Sequence, residues 1–93
     1  MAKQGYVYMM MNPSDTVIYT GVTSDLWKRV DQHKEKTIEG FTKKYNVTKL
    51  VWFEEYSTVV EAIAAEKKIK SGSRAKKMAL IKSMNPGFRD LGQ

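Results

Sequence analysis

Ninety-three residues allow one domain spanning positions 1–93 with a modest core, and sixteen Lys and Arg against ten Asp and Glu leave a formal charge of +6. A field of that sign favours polyanions, nucleic acid above all, over a merely solvated basic surface, and the excess sits mostly in the second half, in "KEK", "TKKY" and "EKKIKSGSRAKK". With no cysteine, disulfides and thiolate metal sites are excluded; no apolar run approaches the ~20 residues of a membrane helix, and "MAKQGY" has no long apolar segment behind it, so a chain without a secretory leader is expected in the cytoplasm.

"GYVYMMM" has the β-branched and aromatic content of a strand, and "NPSD" closes it with turn chemistry. "TVIYTG" follows as a second strand, and so short a link predicts an antiparallel hairpin. Thr23, Ser24 and Asp25 offer an N-cap and a first-turn acid for a helix reaching about Lys36. On it Leu26, Val30 and His33 share one stripe, with Arg29 at the edge. Residues 37–48, "TIEGFTKKYNVT", lack periodicity and predict a basic, aromatic loop. "KLVWFEEY" is a third strand. "STVVEAIAAEKKIKS" is a second helix, capped by Ser57 or Thr58 with Glu61 in the capping-box position for Thr58, and Gly72 is expected to end it as a helix-terminating glycine. "SRAKKMALIKSM" is a third helix, capped by Ser73 and stopped by Asn85-Pro86-Gly87. The expected fold is α/β (α+β): a small three-stranded antiparallel sheet flanked by helices, in the order β-β-α-β-α-α.

Five positions stand out chemically. Glu66 falls among Val59, Ala62, Ile63, Ala65 and Ile69 rather than with the lysines of its helix. A carboxylate there costs several kcal/mol to desolvate unless compensated, either by a hard divalent cation or by a nearby Lys or Arg. Arg29 and His33, at i and i+4, point the same way: a fork for phosphate beside a group that exchanges protons near neutrality, or else a solvated Arg beside a half-buried His. Tyr8 and Tyr19 on neighbouring strands are either core packing or paired phenols, and Gly21 after Tyr19-Thr20 would let the backbone turn sharply and leave the Tyr19 phenol at a surface.

"YVY" at 6–8, "YTG" at 19–21, Arg29 and His33 in "LWKRVDQH", and Glu66 in "EAIAAEKKIK" together resemble the signature of the GIY-YIG nucleases, over nearly the whole chain and in the family's order of elements. The similarity is greatest to small single-domain bacterial members. It implies an endonuclease that hydrolyses phosphodiester bonds in DNA, with RNA as the alternative, in repair or recombination, using Mg²⁺ or Mn²⁺. It implies Tyr8 or Tyr19 as the group that helps deprotonate the attacking water, with His33 relaying the proton, Arg29 on the scissile phosphate and Glu66 as metal ligand. Lys43, Lys44 and Tyr45, with Lys67, Lys68 and Lys70, are candidate backbone contacts. Arg29, His33 and Glu66 are expected to open on one concave face. Tyr6 stands where the family name has Gly. Met78 stands near an asparagine of some branches, so Asn85 takes that role or the role is unfilled. The alternative is a non-catalytic nucleic-acid-binding module of the same fold, and after it a structural or partner-binding protein. Neither a membrane nor an organic cofactor is expected.

Overall fold

A hydrogen-bonded run with no charged residue, Val7 to Met11, must be covered on both sides, and it occupies the middle of the sheet. The computed structural model describes residues 4–93; Met1, Ala2 and Lys3, part of the stretch weighed as a leader, lie outside the described residues. Strand β1 (Gly5–Met11) pairs antiparallel with β2 (Ile18–Thr23) on one side and β3 (Lys49–Tyr56) on the other, in the order β2-β1-β3. Val7, Tyr8, Met9, Met10 and Met11 are all fully buried. Strand alternation then splits the core in two. Val7, Met9 and Met11 face one layer with Val51, Ala62 and Ile81, whereas Tyr8 and Met10 face another with Leu26, Val30, Val47 and Leu50.

The hairpin turn is built by Asn12, whose Oδ1 accepts from the Thr16 and Val17 amides at 2.9 and 2.8 Å. Helix α1 (Leu26–Lys34) starts at Asp25, whose carboxylate accepts from the Lys28 amide at 3.3 Å; Asp25 is thus the cap, and the first turn itself holds no acid. The helix stops two residues short of the expected Lys36, which has left-handed backbone (φ 58°). A further element interrupts the expected loop: α2 (Phe41–Lys44), a single turn too short to leave a period in the sequence. The order is therefore β-β-α-α-β-α-α.

Helix α3 (Val59–Lys70) is capped by Thr58, which accepts from the Glu61 amide at 3.1 Å, but the return half of the capping box is missing because Glu61 takes the Ser57 hydroxyl instead. Its end differs from expectation. Gly72 donates to the Ile69 carbonyl at 3.0 Å without left-handed backbone, so the turn closes by a tight i→i−3 bond rather than a glycine cap. Helix α4 (Arg74–Met84) is capped by Ser73 as expected. α3 seats through small residues: Ala62 is buried and Ala65 and Ile69 pack beside it, while Val60 and Ile63 point to solvent.

Gly5 sets how closely α3 approaches the sheet. A methyl there would lie 2.7 Å from Ala62 Cβ and 2.8 Å from the Val59 Cα, and helix backbone cannot yield as a side-chain tip does. Gly5→Ala should therefore destabilise the domain by about 1–3 kcal/mol, the usual cost of overpacking. That corresponds to about 4–8 °C of thermal midpoint per kcal/mol in a domain of this size. Gly87→Ala, whose added carbon meets only Arg89 Cγ at 3.7 Å, is the control and should melt with the wild type. Circular-dichroism melts of the two variants test this.

Candidate active site

Parity along the hairpin brings the two tyrosines together. Tyr8 pairs with Gly21 across β1 and β2, and Tyr19, two residues before Gly21, shares its face, so the rings sit diagonally with centroids 6.2 Å apart. Gly21 does not turn the chain sharply, as its sequence context suggested. It lies within β2 with ordinary backbone, and a methyl on it would sit 2.6 Å from Tyr8 Cζ and Oη and 2.9 Å from Tyr19 Cε2. The glycine makes room for the Tyr8 hydroxyl beneath it.

That hydroxyl meets His33. Leu26, Val30 and His33 form the buried stripe of α1, and His33 Nε2 lies 2.9 Å from Tyr8 Oη. The other ring nitrogen, Nδ1, lies 3.0 Å from Thr42 Oγ1. Thr42 is the buried residue of α2 and was not singled out by the sequence, because an isolated threonine in an aperiodic stretch carries no signal. The clue available was indirect: a buried imidazole needs partners for both nitrogens. His33 is only 3% exposed, so it does not open on a concave face as expected.

Arg29, one turn before His33, is half-buried and lines a polar recess with Thr23, Ser24, Asp25, Lys28 and Gln32. Burial, reinforced by neighbouring Tyr19, pushes the Tyr8 phenol well above its usual range, and Arg29 opposes that shift. Burial first, then the Arg29 charge, brings His33 down to about 4. At neutral pH the pair is therefore a neutral phenol against a neutral imidazole.

Glu66 lies elsewhere. Its helix packs on the opposite face of the sheet from the tyrosines, with Ala65 and Ile69 in that layer; its side chain is 14% exposed, and Lys70 Nζ sits 3.6 Å from Oε2. The single concave face expected for Arg29, His33 and Glu66 is thus replaced by an edge. Among the described residues β2 has no strand outside it, and a groove along that edge is lined by Ile18, Tyr19, Thr20, Phe41, Lys70 and Lys77. It joins the tyrosine side to the last turn of α3. Thr20 is buried there with its hydroxyl unpartnered.

A divalent ion fits this donor set only in one way. Among the described residues no three His, Asp or Glu converge as a chelating group. One largely buried carboxylate, with a largely exposed lysine as its present counterion, suits an ion such as Mg²⁺ that keeps waters and takes phosphate oxygens.

The candidate backbone contacts are exposed. Lys43, Lys44 and Tyr45 line α2 and its end, where Phe41 and Tyr45 rings lie 4.8 Å apart and Phe41 stacks toward Tyr19 at 6.3 Å. Lys67, Lys68 and Lys70 project from the last turn of α3. Asn85 is spent elsewhere. It is buried, donates to the Val51 and Arg89 carbonyls and accepts from the Arg89 amide, pinning the C-terminal turn to β3, and Met78 packs in the core.

The model of the GIY-YIG catalytic domain matches residues 4–79. The chain belongs to the GIY-YIG family. A UPF0213 protein of Staphylococcus aureus strain Mu3 is 38% identical over 77 residues, which span 83% of this chain and 93% of that protein. UPF0213 protein SAV0488 of strain Mu50 matches with the same identity and coverage. The solution NMR structure of UPF0213 protein BH0048 from Bacillus halodurans shares the fold, at 25% identity, covering 94% of this chain and 92% of that one, with a TM-score of 0.59. The three-stranded antiparallel sheet with helices is therefore the GIY-YIG fold, and the family is one of nuclease-type hydrolases acting on nucleic acid. Among the described residues no helix is long and apolar enough to cross a membrane.

His33 is the sole histidine, so its ring resonances need no assignment by mutation. Its midpoint in an NMR titration should lie well below the unfolded value of 6.5, toward about 4. The sign for stability follows: as pH falls from 6.5 the unfolded chain takes up a proton that the native one refuses, so stability drops down to about 4 and then levels. A midpoint at or above 6.5 would contradict the enclosed, Arg29-flanked placement.

Proposed function

We propose that the protein is a cytoplasmic, divalent-metal-dependent endonuclease hydrolysing phosphodiester bonds in DNA, with RNA as the alternative substrate, in repair or recombination. The observation that carries this reading is the enclosed chain from Tyr8 through His33 to Thr42 beside Arg29. Core packing alone would be served by apolar side chains. An enclosed phenol, imidazole and hydroxyl joined in one hydrogen-bonded chain next to a guanidinium is an arrangement suited to moving a proton.

Arg29 forks its N–H groups onto the scissile phosphate and balances the charge that develops there. Tyr19 is half-buried at the β2 edge, whereas Tyr8 is enclosed, so Tyr19 is the phenol that water reaches and Tyr8 the one that hands on. As the water oxygen bonds to phosphorus and the bond to the leaving oxygen breaks, the water proton passes to the phenols and the Tyr8 proton to His33 Nε2. In the resting protein this transfer runs uphill, since Tyr8 holds its proton tightly and His33 repels one. A bound phosphate acts against the smaller of the two causes on His33: its negative charge offsets the effect of Arg29 on the imidazole and stabilises the imidazolium that the transfer forms. Glu66 would hold the metal, which when bound supplies positive charge for the phosphate and leaving oxygens. Lys43, Lys44 and Tyr45, with Lys67, Lys68 and Lys70, follow the backbone on either side.

The Glu66–Lys70 pair also suits the rival, a binding module in which Glu66 is only an ion-pair residue. Cleavage over a panel of linear, branched and single-stranded substrates with Mg²⁺ or Mn²⁺, paired with binding titrations in chelator, separates the two. Glu66→Gln should lose cleavage by about 100-fold or more, the scale of a removed transition-state interaction, yet bind DNA as well as or better than wild type. Arg29→Ala should lower both. A wild type that cuts nothing, together with a Glu66→Gln variant that melts lower, would establish the binding module instead.

A further inference from the structure

The turn that carries the exposed basic and aromatic side chains also carries one inward hydroxyl. In α2, Phe41, Lys43 and Lys44 are exposed and Thr42 is 4% exposed. A four-residue helix has no stability of its own. This one is held by its closing bonds, Lys44 N–H to the Gly40 carbonyl and Val47 N–H to the Thr42 carbonyl, at 3.0 and 2.9 Å. It is bracketed by left-handed backbone at Lys36 (φ 58°), Gly40 (φ 108°) and Asn46 (φ 59°). Lys36 and Asn46 are not glycines, and backbone strain of this kind persists where the surroundings fix a segment in one place. Here the segment is fixed so that Thr42 Oγ1 meets His33 Nδ1 at 3.0 Å.

A neutral imidazole has one donor and one acceptor, whereas the Thr42 and Tyr8 hydroxyls can each play either part. Two arrangements therefore satisfy the chain, and in only one of them is Nε2 bare toward Tyr8. Arg29 chooses between them. It can only donate, it lies one turn before His33 on α1, and its charge acts on both the Tyr8 phenol and the imidazole, so it disfavours an N–H aimed at the Tyr8 oxygen and favours a bare Nε2 there. We infer that Thr42 is a positioning residue: its hydroxyl accepts the His33 Nδ1–H, locks that tautomer, and leaves Nε2 free to take the Tyr8 proton. Through it the nucleic-acid-facing turn, with Lys43, Lys44 and Tyr45, is tied directly to the proton acceptor. The inference rests on the hydrolytic reading of the site for its consequence, but its geometry is open to measurement without any substrate.

Long-range ¹H–¹⁵N spectra of the folded, ¹⁵N-labelled protein at neutral pH report the tautomer of its sole histidine directly. The wild type should show a protonated Nδ1 and a bare Nε2; the reverse overturns the inference with no variant needed. Thr42→Ser should keep that tautomer and the wild-type cleavage rate. Thr42→Val should lose the preference and slow single-turnover cleavage by about 100-fold, the scale of a misplaced catalytic group, with DNA affinity unchanged. A Thr42→Val protein that keeps both tautomer and rate makes Thr42 a packing residue and overturns the inference. The predicted tautomer in a wild type that cuts nothing upholds the Thr42 geometry and sinks the nuclease reading alone.

Discussion

A phenol hydroxyl with no solvent exposure has to be hydrogen-bonded inside the protein, since leaving it unpaired costs about 1–3 kcal/mol. Tyr8 sits at the middle of the central strand, covered on both faces, and its hydroxyl finds His33 Nε2. Much of the molecule is arranged around that bond. Gly21 has no side chain because the phenol lies against it. α1 is placed so that its third turn reaches under the sheet, and Asp25 starts it at the position that puts Leu26, Val30 and His33 on one stripe. The imidazole, once buried, needs a second partner, and an otherwise unstable helical turn is folded inward to supply Thr42.

Burial also decides the chemistry. It raises the proton affinity of the phenol and lowers that of the imidazole, and Arg29 acts on both. In the proposed reaction this pair stays idle until a phosphate brings negative charge beside Arg29. Placing Glu66 on the far side of the sheet keeps its negative charge away from this balance. A groove along β2, the edge strand among the described residues, runs from Tyr19 to Lys70 of α3, and the proposed substrate path follows it.

The strands and helix starts were legible because each rests on local chemistry: β-rich runs bounded by turn residues, and Thr23-Ser24-Asp25, Ser57-Thr58 and Ser73 standing before periodic stretches, although that Asp25 and Thr58 are the caps is set by the folded backbone. The pairing of Tyr8 with Tyr19 was legible as adjacency, since hairpin parity follows from a short turn. What the sequence concealed depends on contacts between distant segments. Thr42 is invisible until residues 41–44 fold against α1, and a one-turn helix leaves no period. Gly21 looked like a turn residue and is a space-maker within a strand, a distinction set by the Tyr8 ring across from it. His33 lay on a visible apolar stripe, but its enclosure comes from α2 and the sheet together. The near-burial of Glu66 followed from helical spacing, whereas the face it shares with Ala65 and Ile69 follows from which side of the sheet α3 crosses.

The central claim is spatial: phosphate is held at the β2 edge by Arg29, next to Tyr19 and the enclosed Tyr8–His33 pair. A crystal structure of the Glu66→Gln variant with a short DNA oligonucleotide tests it most directly. The account predicts a backbone phosphate within hydrogen-bonding distance of the Arg29 guanidinium and the Tyr19 hydroxyl, with the Tyr8–His33–Thr42 chain intact beneath it. DNA bound on another surface, with Arg29 in solvent and no phosphate near Tyr19, would contradict it.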